Sequence, residues 1–226
     1  MLCVIVAKDS AMIRMLNVSK EFRMSSGRKC VLNGANCTIP SNRSVALLGK
    51  NGAGKSTLLK MISGAILPDK GRIHLTGSVS WHVGFTGSFH PDLTGTQNTR
   101  FIARIYGVDS DSLVEFAHKF SDLGHYFDVP IRLYSAGMRS RLAFGVSFGI
   151  PFDTYLVDEI TSVGDLKFKT KSRALFAERM QNSGAIVVSH SLNDLREMCQ
   201  SGMVLTDGNV HYFLDLEEAI SFYKSL

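Results

Sequence analysis

The residues best equipped for chemistry form one run, Gly49-Lys50-Asn51-Gly52-Ala53-Gly54-Lys55-Ser56-Thr57. A triphosphate carries several negative charges and must be wrapped by donors, and this run supplies them. Glycines at 49, 52 and 54 allow conformations and close approaches that a Cβ would block, so successive backbone N–H groups can point inward as an anion nest. A helix beginning near Lys55 adds its positive dipole end. Lys55 should reach the β- and γ-phosphates as a point charge, and the Ser56 hydroxyl is placed to ligate Mg²⁺. Gly49, Asn51, Gly52, Ala53, Gly54, Lys55, Ser56 and Thr57 are therefore expected to form the phosphate site.

Two further groups fit the same chemistry. The apolar run Thr154-Tyr155-Leu156-Val157 ends in Asp158-Glu159, and ligands gather at the carboxyl ends of strands in an open α/β sheet. There Asp158 should hold Mg²⁺, directly or through water, and Glu159 is placed to polarise a water attacking the γ-phosphorus. His190 ends the run Ala185 to Ser189. Taken alone it reads as a buried structural histidine; at the same edge as Asp158, a neutral imidazole could donate to the γ-phosphate.

Tyr134-Ser135-Ala136-Gly137-Met138 opens another helical pattern. Ser135 is explained by N-capping alone, yet a serine hydroxyl beside a glycine at a helix start is also a second anion site. One chain binding one triphosphate has no evident need of two. Asp165, in the short link after Glu159, is unremarkable by itself.

The elements that must position these groups can be read from periodicity. Strand patterns cover 13–22 and 30–39 as an antiparallel pair, and the apolar run 45–48 precedes the loop. A helix follows through Ile62, stopped by Gly64, then short strands at 72–75 and 78–83. Helical patterns at 96–106, 110–123 and 136–148 succeed one another without a strand, marking an inserted helical subdomain at about 88–150. Alternation resumes with strands at 154–157 and 185–188, helices at 166–180 and 192–199, a hairpin at 203–213 and a last helix from 215 to about 224. Residues 1–11 read as an upstream extension ahead of a true start at Met12, or as an accessory strand.

The 226 residues carry 25 Lys and Arg against 20 Asp and Glu, a net charge of +5. These cations are scattered rather than interleaved with aromatics, so no nucleic-acid partner is expected. Cys3, Cys30, Cys37 and Cys199 have no paired spacing, which suggests neither zinc nor a disulfide framework and suits a reducing compartment. No apolar run approaches the ~20 residues of a membrane span.

The set GKNGAGKST, YSAGM, YLVDE, ITSVGD and VSH, in this order, resembles the ATP-binding subunits of ABC transporters over 12–226. The resemblance implies an α/β P-loop NTPase fold with a mostly parallel core sheet, an antiparallel β subdomain and an inserted α-helical subdomain. It also implies a homodimer with ATP sandwiched between subunits. Ser135 and Gly137 would then contact the γ-phosphate held by the partner's Lys55 loop, Asp165 would lie in the link between the two sites, and Phe22 would stack on adenine. Without the resemblance Phe22 would be read as core.

More narrowly, Ser80-Trp81, Gly84 to Phe89, the Leu93-Thr94-Gly95 turn, Asn98 to Tyr106 and Tyr134 to Leu142 resemble the ATPases that export capsular polysaccharide in Gram-negative bacteria. That implies an ATPase peripheral to the cytoplasmic side of the inner membrane, an integral membrane permease as partner, and a polysaccharide contacted through the permease. The alternatives are an O-antigen or teichoic-acid exporter ATPase, a non-transport ABC ATPase, and a regulatory module that binds ATP without hydrolysing it. The chain departs from the common pattern twice. No glutamine occurs between Val83 and Thr96, where most members have one, so that Gly84 or Phe85 falls at its place; and the signature reads YSAGM.

Overall fold

A computed structural model describes residues 12–25, 27–40, 42–158 and 165–226. Residues 1–11, read above as an extension or accessory strand, and Glu159 lie outside the described residues.

The chain opens with β1 (Met12–Met24) and β2 (Gly27–Pro40), paired antiparallel. Next come β3 (Ser44–Leu48) and α1 (Lys55–Ile62), with the phosphate-loop sequence between them. The two short strands after α1 part company: β4 (Lys70–Thr76) pairs antiparallel with β1, whereas β5 (Val79–His82) joins a second sheet. Among the described residues the first sheet runs β2-β1-β4.

Three helices then follow in succession, α2 (Gly95–Tyr106), α3 (Ser110–Ser121) and α4 (Ala136–Gly149), with 3-10 turns over Gly124–Asp128 and Ile131–Leu133. The Thr94 hydroxyl and Gln97 form a reciprocal capping box at the start of α2, and Gly107 ends it in the left-handed conformation. In α4, Leu142 to Phe148 are consecutively buried, because the helix is enclosed by α3 on one side and the second sheet on the other. Its Phe148 ring stacks on Tyr155 at 5.0 Å, and a Cβ on Gly149 would stand 2.4 Å from Leu113 Cδ1.

The remaining elements are β6 (Thr154–Asp158), α5 (Leu166–Arg179), β7 (Gly184–Val188), α6 (Leu192–Met198), β8 (Ser201–Thr206), β9 (Asn209–Phe213) and α7 (Leu216–Lys224). The second sheet has the order β5-β6-β7-β3-β8-β9, parallel except for β9. Strands β3 and β7 are buried along their whole length, as expected of parallel strands covered on both faces. Because β3 lies between β7 and β8, the chain moves outward in both directions from it, and the carboxyl ends of β3, β6 and β7 open at one edge.

Candidate functional site

At that edge lies a cleft of about 950 Å³. Its wall includes Asn51, Gly52, Gly54, Lys55, Ser56 and Thr57 from the loop, Asp158 from β6, His190 just past β7, and Phe22 from β1. Residues distant in sequence thus meet because parallel strands deliver their carboxyl ends to one place.

The loop's conformation depends on its glycines. Gly54 has φ 110°, and a Cβ there would lie 2.2 Å from Val31 Cγ1. Gly49 passes so close to β8 that a Cβ would meet the Leu205 carbonyl at 2.7 Å. Ala53 donates its N–H to the Lys50 carbonyl (3.0 Å) and packs against the core cluster around α1. Gly49 and Ala53 therefore shape the turn from behind, while Asn51, Gly52 and Gly54 face the cleft. No side chain caps the start of α1 and its first turn holds no acid, so the dipole end and its N–H groups are directed at the cleft.

Lys55 donates from Nζ to the Gly49 and Lys50 carbonyls, at 2.6 and 3.2 Å, which fixes the ammonium inside the curl of the loop. Partial burial lowers its pKa, and the Asp158 carboxylate opposes that shift. Asp158 ends β6 in register with Val188 of β7. His190 is exposed at the same edge, which excludes the reading of a buried structural histidine. Phe22 is 39% exposed and lines the cleft, so it is not core.

Ser135, Gly137 and Asp165 sit elsewhere. Ser135 caps α4, accepting the Met138 N–H at 3.2 Å, and both Ser135 and Gly137 are exposed. Asp165 caps α5 through the Phe168 N–H (2.9 Å) and pairs with Arg141 of α4. None of the three lines this chain's own cleft.

Several cleft residues escaped the sequence reading: Lys29, Lys60, Trp81 and His82. His82 closes β5 opposite Leu156 of β6. Its Nε2 is buried with no hydrogen-bond partner among the described residues. Burial lowers the imidazole pKa, opposed by Asp158 and reinforced by Lys60. Gly84 and Phe85, at the place of the absent glutamine, also line the cleft, and His82 is the titratable side chain that this segment contributes. Trp81, beside it, contacts the Tyr106 ring at 4.8 Å, joining the cleft wall to the end of α2. A turn at 25–28 would set 31 opposite 22; the strands instead close Met24 on Gly27, and that tighter hairpin is what sets 29 opposite 22.

Comparison with known proteins agrees with this geometry. Residues 32–162 match the family model described as ABC transporter. The chain is 46% identical over 216 residues to the polysialic acid transport ATP-binding protein KpsT of Escherichia coli, covering 94% of this chain and 96% of that protein. It is 41% identical to the capsule polysaccharide export ATP-binding protein CtrD of Neisseria meningitidis serogroup B, covering 95% and 100%. Among solved structures, the dimeric ATP-binding cassette MJ0796 in a post-hydrolysis state with ADP and Pi superposes with a TM-score of 0.75 at 22% identity, over 90% of this chain and 98% of that one.

Proposed function

This chain belongs to the ABC transporter family of ATP-binding proteins, an ATPase by that membership, and from that premise we propose that it powers export of a capsular or related cell-surface polysaccharide. The activity is read from relatives that match it end to end at more than 40% identity. The observation that carries the shared-site mechanism is Gly137. Its nearest atom to an added Cβ is Ser135 Oγ at 3.9 Å, and glycine in a helix costs roughly 1 kcal/mol relative to alanine. Among the described residues nothing requires a glycine there, whereas a second copy laying its nucleotide against the head of α4 would.

In this reading the loop amides and α1 bind the phosphates, Lys55 turns from its own carbonyls to the β- and γ-phosphates, and Phe22 carries the base. Ser56 and Asp158 offer a hydroxyl and a carboxylate at one edge. Among the described residues there is no cluster of three His, Cys, Asp or Glu side chains. That set fits Mg²⁺, which takes one or two protein oxygens and completes its shell with substrate phosphates and water. Mg²⁺ there would neutralise charge developing on the phosphate oxygens. Glu159, next to Asp158 in sequence, takes the proton of the attacking water as the new P–O bond forms and the bond to the β–γ bridging oxygen breaks. His190 donates to the γ-phosphate, and Ser135 and Gly137 of the second copy close over it.

Among the described residues no helix is long and apolar enough to cross a membrane, so transport calls for a separate permease, with this subunit peripheral to the cytoplasmic face of the inner membrane. The surface suited to it is on α2, where Phe101 and Ile105 are exposed at 54 and 61% with Arg104 between them in sequence. Phosphate release by Glu159→Gln tests the enzymatic part: equal rates in variant and parent would remove Glu159 as base. Introducing charge with Phe101→Glu and Ile105→Glu tests the docking part, since polymer export should fall while basal hydrolysis persists; export at the parental rate would refute it.

A further inference from the structure

Lys29 is absorbed by no motif, yet the structure sets it on the wall of the nucleotide cleft. It is the direct cross-strand partner of Phe22 in the β1–β2 ladder, and residues opposite each other in an antiparallel pair project to the same face. Both line the cleft. From β2 the lysine extends over the phosphate loop, its Nζ 3.4 Å from the position a Cβ on Gly52 would take. The side chain therefore spans from Phe22 to the loop.

Among the described residues Lys29 has no carboxylate within ion-pair distance, in contrast to Lys20, which pairs with Asp69 at 2.7 Å, and Arg28, which lies 3.8 Å from Glu21. The neighbouring cations on the cleft wall are Lys55 and Lys60. Against these three cations the cleft wall sets one carboxylate among the described residues, Asp158, so the wall stays positive, and that arrangement favours an anion.

We propose that Lys29 is a nucleotide-binding residue whose ammonium contacts the α-phosphate, at the junction of the base-bearing half with the phosphate chain. Lys55 at the helix start would take the β- and γ-phosphates, which leaves a cation lying between Phe22 and the loop to the phosphate next to the nucleoside. A contact there is shared by ATP and ADP, so Lys29 sets affinity for both without distinguishing them. The inference rests on the nucleotide-binding reading of the cleft.

The test is calorimetric titration of the full chain with MgADP and with Mg-AMP-PNP, comparing the parent with Lys29→Met, Lys29→Gln and Lys29→Arg. Loss of one charge-assisted hydrogen bond at an open site should weaken both ligands by the same factor, roughly ten-fold or more. Lys29→Arg should stay within about three-fold of the parent, because it keeps the charge. A thermal midpoint near the parental one confirms that Lys29→Met and Lys29→Gln are folded; a purely structural strap would lower the midpoint in step with affinity. Weakening confined to AMP-PNP would move Lys29 to the γ-phosphate and overturn the assignment, as would unchanged affinity for both. Failure of the parent to bind MgADP would instead defeat the reading of the cleft itself.

Discussion

Arg141 on α4 and Asp165 at the head of α5 are joined by a 2.9 Å contact between guanidinium and carboxylate. The other oxygen of that carboxylate accepts the Phe168 N–H that caps α5, and the Arg141 guanidinium lies 5.0 Å over the Phe168 ring. One carboxylate thus ties the helix capped by Ser135 to the head of α5. Ser135 and Asp165 are both residues on which the proposed shared site depends.

The first prediction separates the two roles of Asp165. The Phe168 N–H, and secondarily the Arg141 charge, hold its carboxyl below the ordinary carboxylate value. With the folded pKa depressed, the stability it contributes is fully present above the unfolded value and is lost as pH falls through the folded one. Asp165→Asn keeps a capping oxygen and loses the ion pair, whereas Asp165→Ala loses both. Denaturation midpoints at neutral pH should rank parent, Asn, Ala, with the gap between parent and Asn closing at strongly acid pH. An Asn variant no more stable than Ala would deny the cap.

A second prediction concerns the loop. Gly54→Ala demands a left-handed φ of a residue with a Cβ and drives that Cβ to 2.2 Å from Val31 Cγ1. The strain should cost about 1–3 kcal/mol and move α1 away from the cleft. Urea denaturation and MgADP titration should both register the change; parental values in each would show that the loop does not need this conformation.

Gly137 supplies a third. Gly137→Ala meets no steric opposition among the described residues and should stabilise the isolated subunit by up to about 1 kcal/mol through helix propensity. Gly137→Val adds bulk at the same exposed spot. Both should bind MgADP like the parent, since position 137 is not in the cleft, while ATP-driven association weakens from Ala to Val. Association unaffected by valine would place the head of α4 away from any seam.

Thiol chemistry gives a fourth. Burial pushes Cys37 up to about 11 and Cys199 up to about 12, whereas Cys30 is exposed. Iodoacetamide at pH 8 should therefore alkylate Cys30 well before Cys37 and Cys199, as peptide mass spectrometry would read. The same shifts make the fold sensitive to alkali. Above about pH 9 the unfolded thiols release protons that the folded ones retain, so stability falls as pH rises toward the folded values. Rapid alkylation of Cys199 in the native chain would contradict the packing around it.

The phosphate loop, the strand ending at Asp158 and the order of helices and strands were legible in the sequence, since each rests on local spacing and an apolar run with clear stops. The placement of Phe22 was legible through resemblance alone, because an aromatic in a strand carries no mark of which face is open. Other features depend on pairing across the chain. That β4 would join β1 and β5 would join β6 follows from register with partners distant in sequence. His82 and Trp81 reach the cleft through that pairing. The second half of α4, buried from Leu142 to Phe148, shows no amphipathic periodicity, and Lys29 gains its meaning from Gly52, which another sheet presents to it.

The most direct test of the shared nucleotide site is sedimentation of Glu159→Gln with MgATP, with and without Ser135→Arg in the same chain. Two copies should associate in Glu159→Gln, and the added Ser135→Arg should return the protein to a single copy while MgADP binding by that copy persists. A single copy under MgATP in Glu159→Gln, or an association indifferent to Ser135→Arg, would contradict a site completed by the second subunit.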